Sequence, residues 1–194
     1  MPFPTQSRGS AGKAVSRRPF TGYWEYYLEK PIYVYPMNEA WAGSPVLNDR
    51  GEILGIGSLY VTEAYVEGML SPGNLFIPIN DLKPIFDDLI QNGRRTKDIK
   101  PYMGLSSQIN SGKISVTRVN ENGPAAKAGI MEKDIILSIN NKKIKDMEDF
   151  YKTVWSSGGP GSKLNFEIER SQKKINLEII TMDRNDFYLK PKYY

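Results

Sequence analysis

Two residue types of wide catalytic use are missing from this chain: its 194 residues include no cysteine and no histidine. Without cysteine, disulfides and thiolate metal sites are excluded. Without histidine, no imidazole can act as general base or zinc ligand. A Ser-His-Asp or Cys-His site therefore cannot be assembled from this chain alone. Also missing is an apolar run of about 18 residues, the least that reads as a membrane span. The N-terminal MPFPTQSRGSAGKAV has no apolar core, so the sequence reads as having no export signal. Acidic residues are absent before Glu25, whereas Arg8, Lys13, Arg17 and Arg18 fall there, which accounts for the whole net charge of +4. A basic stretch without aromatic interleaving is expected to be a solvated segment rather than a nucleic-acid site.

What is present has two textures. Residues 1–14 are rich in Pro, Gly and Ser and are expected to be irregular. VSRRPFTGYWEYYL (15–28) is aromatic and β-prone, and PIYVYP (31–36) reads as a short strand bounded by prolines. SPVLN (44–48) and EILGIGSLYV (52–61) flank Asp49-Arg50-Gly51 and predict a hairpin, and NLFIPIN (74–80) predicts a further strand. Asp81 is expected to cap a helix with apolar positions Leu82, Ile85, Phe86 and Leu89 that stops at Gly93. The charged GRRTKDIK (93–100) reads as a linker.

From Pro101 the pattern changes. KISVTRV (113–119) is a strand, PAAKAG (124–129) a short helix, and DIILSI (134–139) a strand before an NNKKI turn. DMEDFYKTVWSS (146–157) is an amphipathic helix with Asp146 as its cap, broken by GGPG (158–161). KLNFEIER (163–170) and KINLEII (174–180) close the unit as strands, and 184–194 is expected to be a flexible tail with four aromatics able to dock. Together these elements describe a small, partly open β-barrel with helical plugs.

Residues 102–180 resemble a PDZ domain of the HtrA/Deg protease type. The carrying motifs are YMGL (102–105), NGPAAKAGIMEKDIILSINNKKI (122–144), and Asp149-Phe150 followed by GGPGSKLNFEIER. In such domains a ligand's C-terminal residues add as a strand, and its free carboxylate rests on backbone N–H groups. The resemblance assigns those donors to Met103, Gly104 and Leu105. A glycine at 104 suits this, since it lets an anion approach the backbone closely. On the helix, Phe150 and Val154 fall where the family places core residues, and Met147 and Tyr151 are the candidates for the groove wall.

With that anchor, WAGSPVLNDRGEILGIGS (41–58) and GNLFIPINDLKPIFDDL (73–89) are similar to the second β-barrel of an HtrA-like, trypsin-fold protease. The resemblance thus implies a mainly β fold with short helices: half of a trypsin-like double β-barrel over 15–92, a linker at 93–100 and a PDZ domain over 101–183. Aligning the family's Gly-Asn-Ser-Gly-Gly-Pro on Pro45 puts Ala42 at the nucleophile position and Trp41 where the family has Asn. The backbone N–H groups of Ala40 and Ala42 would make the oxyanion hole. Met1 falls inside the first strand of that barrel, so the first barrel, which carries the family's His and Asp, is expected to be absent.

Substitutes for the missing chemistry are weak. Ser44 has no predictable base, and Ser58 or Ser71 would need a desolvated lysine that nothing in the sequence signals. Asp81 and the Asp87-Asp88 pair read as a helix cap and a solvated face. GGPG has no following Lys-Ser/Thr in phosphate-loop register. No cofactor and no metal are expected. Two functions stay open. One is a proteolytically silent HtrA-like chain that captures peptide or unfolded-protein C-termini. The other is the C-terminal portion, or a Ser-to-Ala variant, of an active serine endopeptidase. The resemblance further implies a periplasmic or otherwise extracytoplasmic place in protein quality control, and allows a homo-oligomer.

The chain alone is expected to hydrolyse no peptide bond, because nucleophile and general base are both absent. Incubation with unfolded casein tests this, and turnover above a heat-killed control would contradict it. Ala42→Ser should stay inactive as well, since no histidine is there to activate the new hydroxyl.

Overall fold

The structure, a computed structural model, describes residues 9–66 and 69–188. It divides into two compact units, one holding the chain up to Phe20 and from Leu28 to Arg94, the other Thr21–Tyr27 and the chain from Arg95 onward. The expected barrel span of 15–92 is therefore interrupted by seven residues that group with the second unit.

The first unit is built on β1 (Lys13–Ser16), β4 (Ile32–Tyr35), β5 (Pro45–Leu47), β6 (Ile53–Val66) and β7 (Met69–Pro78), in the order β1-β4-β7-β6-β5. Alternation along each strand divides the apolar residues between the faces. Ile32, Val34 and Phe76 bury on one side with Val46, and Tyr33, Ala64 and Leu75 on the other with Phe20, Leu28 and Leu59. Strands β2 (Phe20–Gly22) and β3 (Tyr26–Leu28) pair as a separate ribbon whose tip belongs to the second unit. The expected hairpin forms, with Gly51 at φ +76° between β5 and β6.

Two local expectations are corrected. Strand β1 starts at Lys13, inside the stretch read as irregular, because Lys13 and Ala14 pair with Tyr35 and Val34; residues 1–8 lie outside the described residues. The single helix from Asp81 is instead α1 (Ile79–Leu82), a 3-10 turn (Lys83–Ile85) and α2 (Phe86–Asn92). Asp81 lies in the first turn, and Pro78 occupies the cap position. The interruption falls at Pro84, which has no N–H to donate and crowds the preceding turn. Gly93, left-handed at φ +66°, ends α2 as expected.

The second unit comprises β8 (Leu105–Asn110), β9 (Lys113–Val119), α3 (Pro124–Lys127), β10 (Ile135–Ile139), β11 (Lys142–Lys143), α4 (Met147–Ser156), β12 (Lys163–Arg170), β13 (Lys173–Ile180) and α5 (Arg184–Phe187). Its sheet runs β13-β12-β10-β9-β8, with β11 on β10, so β8 is an edge strand. Helix α4 begins as expected, with the Asp146 carboxylate accepting from the Asp149 N–H at 2.7 Å. It buries Phe150, Tyr151 and Val154 against a core that includes Leu164, Phe166 and Ile168. The expected flexible tail is helical at its start. Asp183 caps α5, and Phe187 and Tyr188 pack on the Tyr102 ring with centroids 5.4 and 6.4 Å away.

One buried ion pair ties this unit together. Arg170 donates through Nε and Nη2 to the two oxygens of Asp134, both at 2.7 Å, and Nη2 also reaches the Gly129 carbonyl. The Asp134 side chain is only 1% exposed. Removing one partner of such a pair strands the other charge in a low-dielectric site. Arg170→Ala should therefore lower unfolding stability by about 3 kcal/mol, the lower end of the range for broken buried pairs, since Arg170 keeps some solvent contact. Urea denaturation of the full chain measures it, and a loss below about 1 kcal/mol would mean that water already reaches Asp134.

Candidate functional site

The loop carrying position 42 is seated on β6. Gly43 donates to the Gly57 carbonyl at 2.9 Å, and Gly57 donates to the Ser44 carbonyl at 2.8 Å. A side chain at 57 is excluded, since an added Cβ would lie 1.8 Å from the Trp41 carbonyl oxygen. Within the turn, Ser44 donates to that same oxygen through its N–H at 3.0 Å and its hydroxyl at 2.8 Å. The Ser44 hydroxyl thus pins the turn. Ala42 is exposed and presents a methyl group, which has no nucleophilic atom. The Ala40 N–H donates to the Asn38 side-chain oxygen at 2.8 Å. One of the two donors assigned to the oxyanion hole is therefore spent inside its own turn.

The second site lies entirely in the second unit. Gly104, left-handed at φ +77°, bends the loop before β8 so that three successive N–H groups aim at one point. These belong to Met103, Gly104 and Leu105, and what they meet is the side chain of Glu25. Met103 donates to Oε2 at 3.0 Å, and Gly104 and Leu105 donate to Oε1 at 2.6 and 2.9 Å. Glu25 is 7% exposed. Burial pushes its carboxyl above the usual range, outweighing the N–H donors of Met103, Leu105 and Gly104 and the charge of Arg184, all of which pull it down.

The neighbours of Glu25 fill the space between β8 and α4. Ser107 on β8 donates its N–H to the Tyr23 carbonyl at 3.0 Å. From α4, the Tyr151 hydroxyl donates to the Gly22 carbonyl at 2.5 Å. Tyr27 lies against Tyr151 and Trp155 with ring centroids 6.2 and 5.6 Å apart. Arg184 donates to the Trp24 and Glu25 carbonyls at 3.1 and 3.3 Å and stacks 5.0 Å over the Tyr102 ring. Burial pushes the Tyr102 hydroxyl up to about 12, while a hydrogen bond from Asn120 at 2.6 Å opposes the shift.

Of the groove residues named from the sequence, Met103, Gly104, Leu105 and Tyr151 all meet this tip. Met147 is buried in the core and its sulfur accepts from the Ser107 hydroxyl at 3.9 Å, so it backs the β8 side of the groove. Sequence reasoning missed Glu25, Ser107 and Arg184. A cue for Glu25 was present: it is the one acid in the aromatic stretch GYWEYY.

Comparison with known proteins places this geometry. Residues 101–181 match the PDZ domain family. The chain is 30% identical over 161 residues to the serine protease Do-like HtrB of Bacillus subtilis, an alignment covering 73% of this chain and 33% of that protein. It is also 30% identical over 167 residues to a probable periplasmic serine endoprotease DegP-like of Pseudomonas putida, covering 79% of this chain and 32% of the relative. It spans about a third of the length of these curated relatives. The solved structure of the HtrA-type protease AlgWS227A with decapeptide superposes with a TM-score of 0.52 at 22% identity, over 81% of this chain and 50% of that one, which speaks to the fold. A trypsin-like half-barrel sheet and a PDZ domain in one chain, with these relatives, make this an HtrA-type, PDZ-containing chain.

Proposed function

We propose that this chain captures peptides or unfolded proteins by their C-termini through its PDZ domain and is itself catalytically silent. The carrying observation is the convergence of the Met103, Gly104 and Leu105 N–H groups on a single carboxylate. A site that holds a glutamate carboxylate with three main-chain donors has the chemistry to hold a C-terminal one. The edge of β8 supplies the strand partner, and Tyr151 and Met147 supply apolar walls. Silence follows from Ala42, from the absence of any histidine, and from the Ala40 donor being turned to Asn38. The Pseudomonas putida relative, a probable periplasmic serine endoprotease, supports an extracytoplasmic workplace. Among the described residues no helix is long and apolar enough to cross a membrane.

A second reading is favoured by the coverage. Because the relatives are serine proteases of about three times the matched length, this chain would serve as the C-terminal portion, or a Ser-to-Ala form, of an active endopeptidase. Coding sequence upstream with His and Asp in a trypsin-type context would favour that reading.

Titration of the full chain with a labelled peptide ending in a free valine or leucine carboxylate, beside its amidated copy, tests the first reading. Affinity for the acid is expected to be on the order of micromolar or weaker, since a short peptide gives up ordering entropy for a small contact. The amide should bind about tenfold more weakly, as it lacks the charge that the three donors favour. Equal affinities would argue against carboxylate capture.

A further inference from the structure

The nest and the groove beside it are already in use. A main-chain N–H that donates to Glu25 cannot at the same time donate to a second carboxylate, so the two ligands exclude each other. The contact extends beyond the carboxylate. The Ser107 N–H, the donor two residues along the β8 edge, is taken by the Tyr23 carbonyl, and the Tyr151 hydroxyl by the Gly22 carbonyl. Tyr27 covers the Tyr151 and Trp155 rings of α4. The tip is also shaped for this task. Glu25 sits in the left-handed region at φ +56°, a conformation that is costly for a residue with a long side chain and that turns its carboxylate into the nest.

We propose that the ribbon tip, Gly22–Tyr27, is an internal ligand that closes the PDZ groove, and that a peptide carboxylate must displace Glu25 to bind. This rests on the peptide-capture reading above and adds its regulation. The contact is built to be exchanged. Tyr23 is 59% exposed and Trp24 36%, so the outer side of the tip has little apolar cover holding it down. The buried charge acts in the same direction. A carboxyl with a raised pKa contributes stability that is fully present below its usual 4.5 and is lost as pH rises through the raised value. At neutral pH, Arg184 and the three N–H donors only partly offset the lost hydration of Glu25. An incoming peptide offers its own carboxylate to the same donors and can continue pairing along the β8 edge, which the turn at Tyr23 does not.

The test uses the full chain with Glu25→Gln and Glu25→Ala, and reads two quantities. One is amide hydrogen exchange at Met103, Gly104 and Leu105; the other is binding of labelled decapeptides ending in free valine or leucine carboxylates, with amidated copies. Glu25→Ala, which removes the acceptor, should raise exchange at the three amides and bind the acids about tenfold more tightly than the natural chain, because less of the closed fraction is left to open. Glu25→Gln keeps an acceptor oxygen without the buried charge and should stay near the natural chain. Saturating acid peptide should also raise exchange at Tyr23–Tyr27 in the natural chain. Unchanged exchange at 103–105 in both variants, or equal acid affinity in all three proteins, overturns the internal ligand while leaving peptide capture standing. Variants that free the three amides yet bind acid and amide alike overturn the peptide-capture reading, and the displacement step with it. Persistent protection of α4 and β12 shows that a variant is folded; Glu25→Asp, which keeps the charge but shortens the reach, replaces one that is not and should fall between the natural chain and Glu25→Ala.

Discussion

Three consecutive N–H groups at the start of β8 point the same way, and a hydrogen-bond acceptor has to meet them. Buried main-chain donors left without an acceptor cost about 1–3 kcal/mol each, so a loop of this shape is unstable when dry and unfilled. The loop has this shape because Gly104 is left-handed, a conformation that a side chain would resist. In this structure the acceptor is Glu25, and the features around it follow from that choice. The aromatic tip lies between β8 and α4, Tyr151 turns its hydroxyl to the Gly22 carbonyl, and Arg184 reaches from α5 to the Trp24 and Glu25 carbonyls.

The two candidate sites of the chain are therefore in different conditions. At position 42 the loop is closely held and the side chain is a methyl group. Gly57 lets the loop close on β6, and Ser44 ties off the turn, yet the residue presented is an alanine and a neighbouring donor is occupied. In the loop before β8 three main-chain donors converge, and Glu25 fills them. Such an arrangement is what the proposed control over binding requires, with Glu25 as the occupant that a peptide carboxylate would replace.

Much of the fold was legible because it is written in local patterns. Strands β9 and β12 follow from apolar alternation, α4 from its 3.6-residue stripe and the Asp146 cap, and the end of α2 from Gly93. The elements that were misread are those where another force outweighs the local pattern. The helix after β7 is broken at Pro84, and α5 is held by stacking on Tyr102, about 80 residues away in sequence. Strand β8 was not anticipated as an element because LSSQIN alternates poorly; it is a strand because β9 pairs with it along its length.

The sequence by itself determined the chemistry that this chain lacks, since missing histidine and an alanine at 42 are facts of composition and position. Through its resemblance to a PDZ domain, the YMGL stretch also pointed to Met103, Gly104 and Leu105 as the donors, and the structure brings their N–H groups together. Only the tertiary structure decided what fills that nest. Glu25 lies 78 to 80 residues from its donors, and neither propensity nor periodicity carries information across such a separation. The pairing arises when the ribbon folds back and its one acid meets three unsatisfied amides, where an acceptor stabilises the structure more than any apolar side chain could.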